Sequence, residues 1–188
     1  SMTGVGGRPE VVIEGSNQPD RGWKEYNFLY KPGNVTTKLP IVAPHQPRLD
    51  WQMWFAALGN YQHNPWFLNL VYRLFTQQQE VLELMGTNPF PDKPPKYIRA
   101  TLYHYHFTSW NRSHQASNCH GEGFSKVDWW TRKRVREYLP IITKDEPSFV
   151  NYLKEAGIIG DKRNKLREDN AEAEKQGPEY FNFLQYFF

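Results

Sequence analysis

The stretch KYIRATLYHYHFT, residues 96–108, constrains the fold more than any other part of the sequence. It lacks glycine and proline and is rich in aromatic and β-branched residues, which predicts one long β-strand from Tyr97 to Phe107. Alternation places the tyrosines on one face of that strand and Ile98 and Leu102 on the other. Because large side chains point both ways, the strand needs neighbours at its edges and cover on its faces. The chain is therefore predicted to fold around a β-sheet.

Two segments near the N-terminus are predicted to pair with each other. EVVIEG, residues 10–15, is a β-branched run that ends at a glycine. WKEYNFLYK, residues 23–31, carries Tyr26, Phe28 and Tyr30 at a period of two, so their rings are expected to share one face of a strand. The residues between the two segments are typical of a loop, which predicts a hairpin.

Helical periodicity predicts the elements that cover the sheet. Apolar residues recur at helical spacing over 49–59 and 65–77, and the basic segment 126–138 is interpreted as a further helix whose tryptophans pack inward. Four prolines between Lys31 and Pro47 predict an extended, exposed connection. The predicted fold class is α+β, a single domain in which several α-helices cover an antiparallel β-sheet, with the strand order left open.

Two polar residues are predicted to act as helix caps. Asn64 precedes Pro65, an N-cap side chain followed by proline at the first helical position. Asp50 lies at the start of the preceding helix, where it either serves as the N-cap or interacts with the helix dipole from the first turn. Both are interpreted as structural and not as catalytic residues.

The sequence contains few arrangements that suggest catalysis or metal binding. His104 and His106 would point the same way from a strand, but a zinc site needs at least a third ligand, and the alternative is two sheet histidines packed among tyrosines. Cys119, the single cysteine, and His120 are adjacent in a polar segment, where a free thiol is the favoured interpretation. No phosphate loop, dinucleotide motif or nucleophile elbow is present. We expect no catalytic residue, metal or cofactor.

The charge pattern argues against a nucleic-acid partner. The formal net charge is +3, and the basic residues are distributed along the chain. The sequence has no apolar run long enough to span a membrane, so the chain as given is expected to be soluble. Asn34 and Asn111 begin acceptor triplets for N-glycosylation, both outside predicted strands and helices.

Several long motifs resemble a known family. GRPEVVIEGS, WKEYNFLYKPGN, APHQPRLDWQMWFAALGNYQHNPWF, NPFPDKPPKYIRATLYHYHFT and the Trp129–Trp130 pair followed by REYLP are similar, in that order, to the carboxy-terminal domain of the lipase maturation factors, and closer to one of its two members. The resemblance covers about residues 3–140. Residues 141–188 are interpreted as a helical C-terminal extension, whose end is either the edge of a further membrane segment or a packed terminal helix.

The resemblance implies a noncatalytic, chaperone-like domain in the lumen of the endoplasmic reticulum, belonging to a longer membrane glycoprotein. Its implied partners are secreted client proteins, by family resemblance dimeric lipases, and its oligomeric state is left open. Trp51, Trp54 and Trp66 are the candidate client-binding residues, against the alternative that all three lie in the core. Two other classes stay open: a carbohydrate- or lipid-binding module, and a metal-dependent enzyme that uses His104 and His106.

Overall fold

A four-stranded antiparallel β-sheet lies within residues 8–143. The structure, a computed structural model, describes residues 6–38, 48–108 and 128–160. Its strands are β1 (Arg8–Ser16), β2 (Lys24–Tyr26), β3 (Tyr97–Phe107) and β4 (Trp130–Thr143), in the spatial order β2-β1-β3-β4. The predicted strand over 97–107 is confirmed as β3, and the α+β fold class is confirmed.

β1 and β2 form the predicted hairpin, but β2 is shorter than the sequence suggested. Ile13 pairs with Tyr26, and Gly15 pairs with Lys24. The predicted strand 23–31 stops at Tyr26, because the chain then leaves β1 and Phe28 forms an isolated bridge with Met85. Phe28 therefore stays buried while the backbone beyond it leaves the sheet.

The predicted basic helix over 126–138 is wrong. Trp130–Thr143 is β4, which pairs with β3 along its whole length, from Phe107 to Tyr97. The register shifts at three places along this pairing, as expected for β-bulges. Each bulge interrupts the period-two alternation of side chains along β4. The sequence of β4 therefore lacks the alternation of apolar and polar residues by which a strand is usually recognised.

The predicted helices over 49–59 and 65–77 are confirmed as α1 (Arg48–Ala57) and α2 (Pro65–Phe75). A 3-10 turn, Tyr61–His63, separates them, and the short helix α3 (Gln79–Leu82) follows. The buried apolar residues of these helices and of the sheet form the core, and its least exposed members are Ile13, Met53, Ala56, Phe67, Val71, Leu74, Ile98 and Ala100.

Tyr138 of β4 connects the sheet to the helices. Its hydroxyl donates to the backbone oxygen of Ala56 at 2.9 Å, and its ring lies edge-on against Phe67 with centroids 5.1 Å apart. Burial raises the pKa of Tyr138 to about 12. This contact fixes the last turn of α1 over β4.

A test of this connection uses alkaline pH. Above about pH 10 the unfolded chain loses a proton that the folded chain keeps, so stability is lost as the pH rises from 10 towards 12. Tyr138→Phe should reduce that loss by about 1 to 3 kcal/mol, measured as the free energy of unfolding at pH 9 and pH 11.5. Burial also raises the pKa values of Tyr26 and Tyr105, but these residues contribute equally to the pH dependence of the wild type and of Tyr138→Phe. An equal loss of unfolding free energy with pH in the two proteins would contradict the burial of the Tyr138 hydroxyl.

The chain divides into two compact units, residues 1–146 and residues 147–188. In the second unit, α4 (Pro147–Glu155) starts at a proline, and the chain turns at Gly157 with φ of 65°. The amide of Ile158 then donates to the oxygen of Leu153 at 2.8 Å, which closes the helix end. The predicted division into residues 3–140 and 141–188 stays a prediction. Within the three described ranges, no helix has the length and apolar character of a membrane span.

Candidate functional site

A cluster of large apolar side chains lies exposed on one face of α1 and at Leu58, the residue after its end. Trp51, Phe55 and Leu58 are 40%, 48% and 60% exposed, and Trp54 is half-buried beside them. The Trp51 ring centroid lies 5.1 Å from that of Trp54 and 5.2 Å from that of Phe55, and the Trp54 and Phe55 centroids are 4.9 Å apart. These four residues are called the aromatic patch below. The alternative that all the predicted tryptophans lie in the core is wrong for Trp51.

The opposite face of α1 explains why the patch faces outward. That face buries Asp50, Met53, Ala56 and Ala57. Three of these four side chains are small or polar, whereas the large rings of Trp51 and Phe55 are exposed. A helix usually buries its largest apolar groups, because that contributes most to stability. In α1 this order is reversed, because the rings of Trp51 and Phe55 stay exposed while two alanines are buried.

Trp66 occupies a different position from the aromatic patch. It is half-buried near the start of α2, and its ring lies edge-on to Phe67 with centroids 5.9 Å apart. Sequence reasoning missed Phe55 and Leu58, which are more exposed than either Trp54 or Trp66. Phe55 follows Trp51 by four residues and Leu58 follows Trp54 by four residues, and this spacing was the available signal.

A group of buried charges holds the start of α1 in place. Lys31, only 5% exposed, forms an ion pair with Glu10 of β1, and Arg8 forms a second ion pair with the same carboxylate. The carboxylate of Asp50 accepts a hydrogen bond from the backbone amide of Tyr30 at 2.9 Å. Arg8, Glu10, Lys31 and Asp50 are called the buried charge cluster below. It connects β1, the segment after β2, and α1.

The buried charge cluster corrects one prediction from the sequence and decides between the two alternatives of another. The connection from Lys31 was expected to be exposed, yet Lys31 and Pro32 are buried. Asp50 is the third residue of α1, so of its two predicted positions the first turn is confirmed and the N-cap is wrong. Its side chain satisfies a backbone amide of another segment, a tertiary contact that local spacing does not reveal.

The electrostatics of the buried charge cluster are those of a structural connection. Burial lowers the pKa of Lys31, and the nearby Arg8 lowers it further, whereas Asp50 acts in the opposite direction. Burial raises the pKa of Asp50, opposed by its bond to Tyr30 and by Lys31. The adjacent cavity, lined in part by Glu10 and Lys31, has a volume of about 10 Å³, enough for about one water molecule. A substrate does not fit there.

The other predicted residues are distributed over the structure. Asn64 occupies the N-cap position of α2 before Pro65, but its side chain donates to the oxygen of Asn60 at 2.8 Å and does not cap the helix. His104 and His106 lie on β3, and within the described ranges no three His, Cys, Asp or Glu side chains form a group that could hold a metal. Three predicted residues lie outside the described ranges: Asn111, Cys119 and His120.

The sequon at Asn34 lies in an exposed turn. The backbone amide of Thr37 donates to the oxygen of Asn34 at 2.9 Å. The Oδ1 atom of Asn34 accepts from both the amide and the hydroxyl of Thr36, each at 3.1 Å. The acceptor asparagine is thus presented at the surface.

Comparison with known proteins connects this fold to one family. The family model described as lipase maturation factor C-terminal domain matches residues 1–140. Lipase maturation factor 2 of Xenopus laevis is 45% identical over 161 residues, covering 84% of this chain and 21% of that protein. The human lipase maturation factor 2 is 41% identical over 174 residues, covering 90% of this chain and 23% of that protein.

Similarity extends to the other member at a lower level. Human lipase maturation factor 1 is 36% identical over 145 residues, covering 74% of this chain and 24% of that protein. The chain thus spans roughly a fifth to a quarter of the length of these relatives. No solved structure matches it. On the family match and these identities, the chain belongs to the lipase maturation factor family, with higher identity to factor 2 than to factor 1.

Proposed function

We propose that this chain is a noncatalytic client-binding domain of a lipase maturation factor. In this proposal it lies in the lumen of the endoplasmic reticulum as part of a longer membrane protein, and it assists the folding and assembly of secreted proteins. The names of its relatives support lipases as the clients. The exposed aromatic patch on α1 is the observation that carries the proposal.

The patch has the chemistry needed to hold an incompletely folded protein. Such a client exposes apolar segments that a folded protein would bury, and these segments gain free energy when they leave water. Trp51 and Phe55 offer large rings at a small entropic cost, since each ring is positioned by its neighbours in the patch. Tryptophan is also enriched among the residues that dominate binding energy in protein interfaces.

Two further features support the noncatalytic and lumenal parts of the proposal. Glu10 and Lys31 of the buried charge cluster are almost fully buried, and the cavity beside them holds about 10 Å³, which is too small for a substrate. Asn34 is exposed in its turn, which suits a protein that passes the glycosylation machinery of the secretory pathway. Detection of the full-length protein in the endoplasmic reticulum, with this domain protected from protease until the membrane is opened, tests the location.

The experiment for client binding is affinity capture of the full-length protein from cells that secrete lipases. We expect Trp51→Ser/Phe55→Ser to lower lipase recovery at least about tenfold, because losing one such residue commonly costs about 2 kcal/mol of binding. Trp129→Ser is the matched control, since Trp129 is 44% exposed but lies outside the patch. All variants must first show wild-type melting temperatures. Equal lipase recovery by the folded patch variant and the control would refute the proposed surface.

A further inference from the structure

A polar cleft lies on the sheet between β2, the turn at 34–37 and β4. It has a volume of about 320 Å³ and is lined by Glu25, Asn27, Asn34, Val35 and Arg132. Ligand sites in proteins start at about 300 Å³, so the cleft suits a small ligand of one or two rings. These five residues are called the polar cleft below, and none of them belongs to the aromatic patch.

The charged groups of the polar cleft are fixed in position. Arg132 makes two parallel hydrogen bonds to the carboxylate of Glu25, one of them at 3.0 Å, and a third to the hydroxyl of Tyr105 at 3.1 Å. Its guanidinium also lies over the ring of Tyr103, 4.7 Å from the centroid. A group held from three sides is positioned before a ligand arrives, which reduces the entropic cost of binding.

The wall formed by the 34–37 turn is attached to the sheet by a second small core. Tyr105 donates to the oxygen of Gly33 at 2.6 Å, and the indole of Trp130 donates to the oxygen of Thr37 at 3.2 Å. Val35 packs against the cluster that these two rings form with Val12. Both walls of the polar cleft are therefore parts of the folded framework.

The lining residues define the class of ligand. Arg132 and Glu25 neutralise each other, so an anion or a cation gains little net attraction. Four of the five lining residues are polar, which disfavours an acyl chain. Carboxamides, a carboxylate and a guanidinium together supply both donors and acceptors, and a neutral ligand rich in hydroxyl groups uses both.

We propose that the polar cleft binds a neutral sugar residue. This inference is independent of the proposed client surface, because it concerns other residues on another part of the structure. Asn34 lies in the lining itself, so the sugar comes from one of two sources. It is either the first residue of a glycan on Asn34 or part of a glycan on another molecule. The chemistry recognised is the same in both cases.

The first experiment uses the 188-residue chain made without glycosylation. N-acetylglucosamine and mannose are titrated separately while ligand signals are followed by NMR, and we expect at least one of them to bind. Asn27→Ala should weaken that binding about tenfold, because it removes one side-chain amide while keeping the backbone bond from Gly86 to Asn27. Gln62→Ala, an exposed amide on the 3-10 turn, is the control and should bind as the wild type does.

The second experiment distinguishes the sources in full-length protein from secretory cells. The first source is a glycan on Asn34 itself. In that case an amidase that cleaves the asparagine–sugar bond should release the glycan at least tenfold more slowly from folded protein than from denatured protein. Asn27→Ala should then remove most of this protection. If free sugar binds but Asn34 carries no glycan, the source is another molecule. The inference is overturned if neither sugar binds and Asn34 carries no protected glycan. It is also overturned if Asn27→Ala changes neither the affinity for free sugar nor the protection of the Asn34 glycan.

Discussion

Replacing Glu10 with glutamine should destabilise the protein by about 3 to 5 kcal/mol, because it leaves a buried lysine without its ion-pair partner. Glu10 and Lys31 are both buried, and Arg8 shares the same carboxylate. The substitution keeps the shape of the side chain but removes its charge. Asp50 lies near Lys31, yet its carboxylate is already engaged with the amide of Tyr30 and is no full replacement. The measurement is the free energy of unfolding by urea at pH 7.

The matched control also removes the charge of Lys31, which Glu10→Gln leaves without its partner. Glu10→Gln/Lys31→Met should be less destabilised than Glu10→Gln alone, because a buried apolar side chain then stands where an unpaired ammonium stood. Arg8 stays behind, but it lies closer to the surface than Lys31 and can approach water. A double variant less stable than the single variant, or a single variant that loses less than about 1 kcal/mol, would show that the pair does not hold β1 to the segment after β2.

Trp130→Ala is the second large effect, with an expected loss of about 3 to 5 kcal/mol in the free energy of unfolding. Trp130 is 2% exposed and stacks on Phe107, with the ring centroids 4.2 Å apart. Its backbone amide also donates to the oxygen of Val35 at 3.0 Å. Because its indole bonds to Thr37, the variant should lose the order of the 34–37 turn along with the packing.

The neighbouring residue provides the control for Trp130. Trp129→Ala removes an equal volume from a side chain that is 44% exposed and that lies beneath the ammonium of Lys38 at 5.6 Å. We expect it to cost at most about 1 kcal/mol. Similar losses for the two variants, measured by the same urea titration, would contradict the burial of Trp130 and the exposure of Trp129. The helix predicted from the sequence packs both tryptophans inward and would make the two losses similar, so the result also distinguishes the start of β4 from that helix.

The position of α1 connects these stability predictions to the proposed function. Asp50 of the buried charge cluster and Ala56, which accepts from Tyr138, fix the two ends of the helix. Both anchors lie on the buried face of α1, and the aromatic patch lies on the exposed side of the helix. Variants that loosen either anchor should lower client capture in proportion to the unfolded fraction, whereas the patch variants should lower it in fully folded protein. Melting temperatures recorded beside each capture separate the two cases.

Sequence alone determined the elements whose signals are local. The uninterrupted alternation over 97–107 determined β3, and the proline after Asn64 determined the start of α2. Helical spacing of apolar residues over 49–59 determined α1, whereas its tryptophans became a candidate surface only through the family resemblance. Each of these signals depends on side chains only a few positions apart.

Tertiary structure alone decided the features that depend on distant partners. β4 is a strand because β3 offers it a full edge, although bulges erase its alternation. Lys31 is buried because Glu10, 21 positions earlier, supplies the opposite charge. The polar cleft exists because Glu25 and Arg132, 107 positions apart, meet across the sheet. Backbone pairing and charge neutralisation act between groups that folding brings together, so the free energy that settles these features arises only in the folded chain.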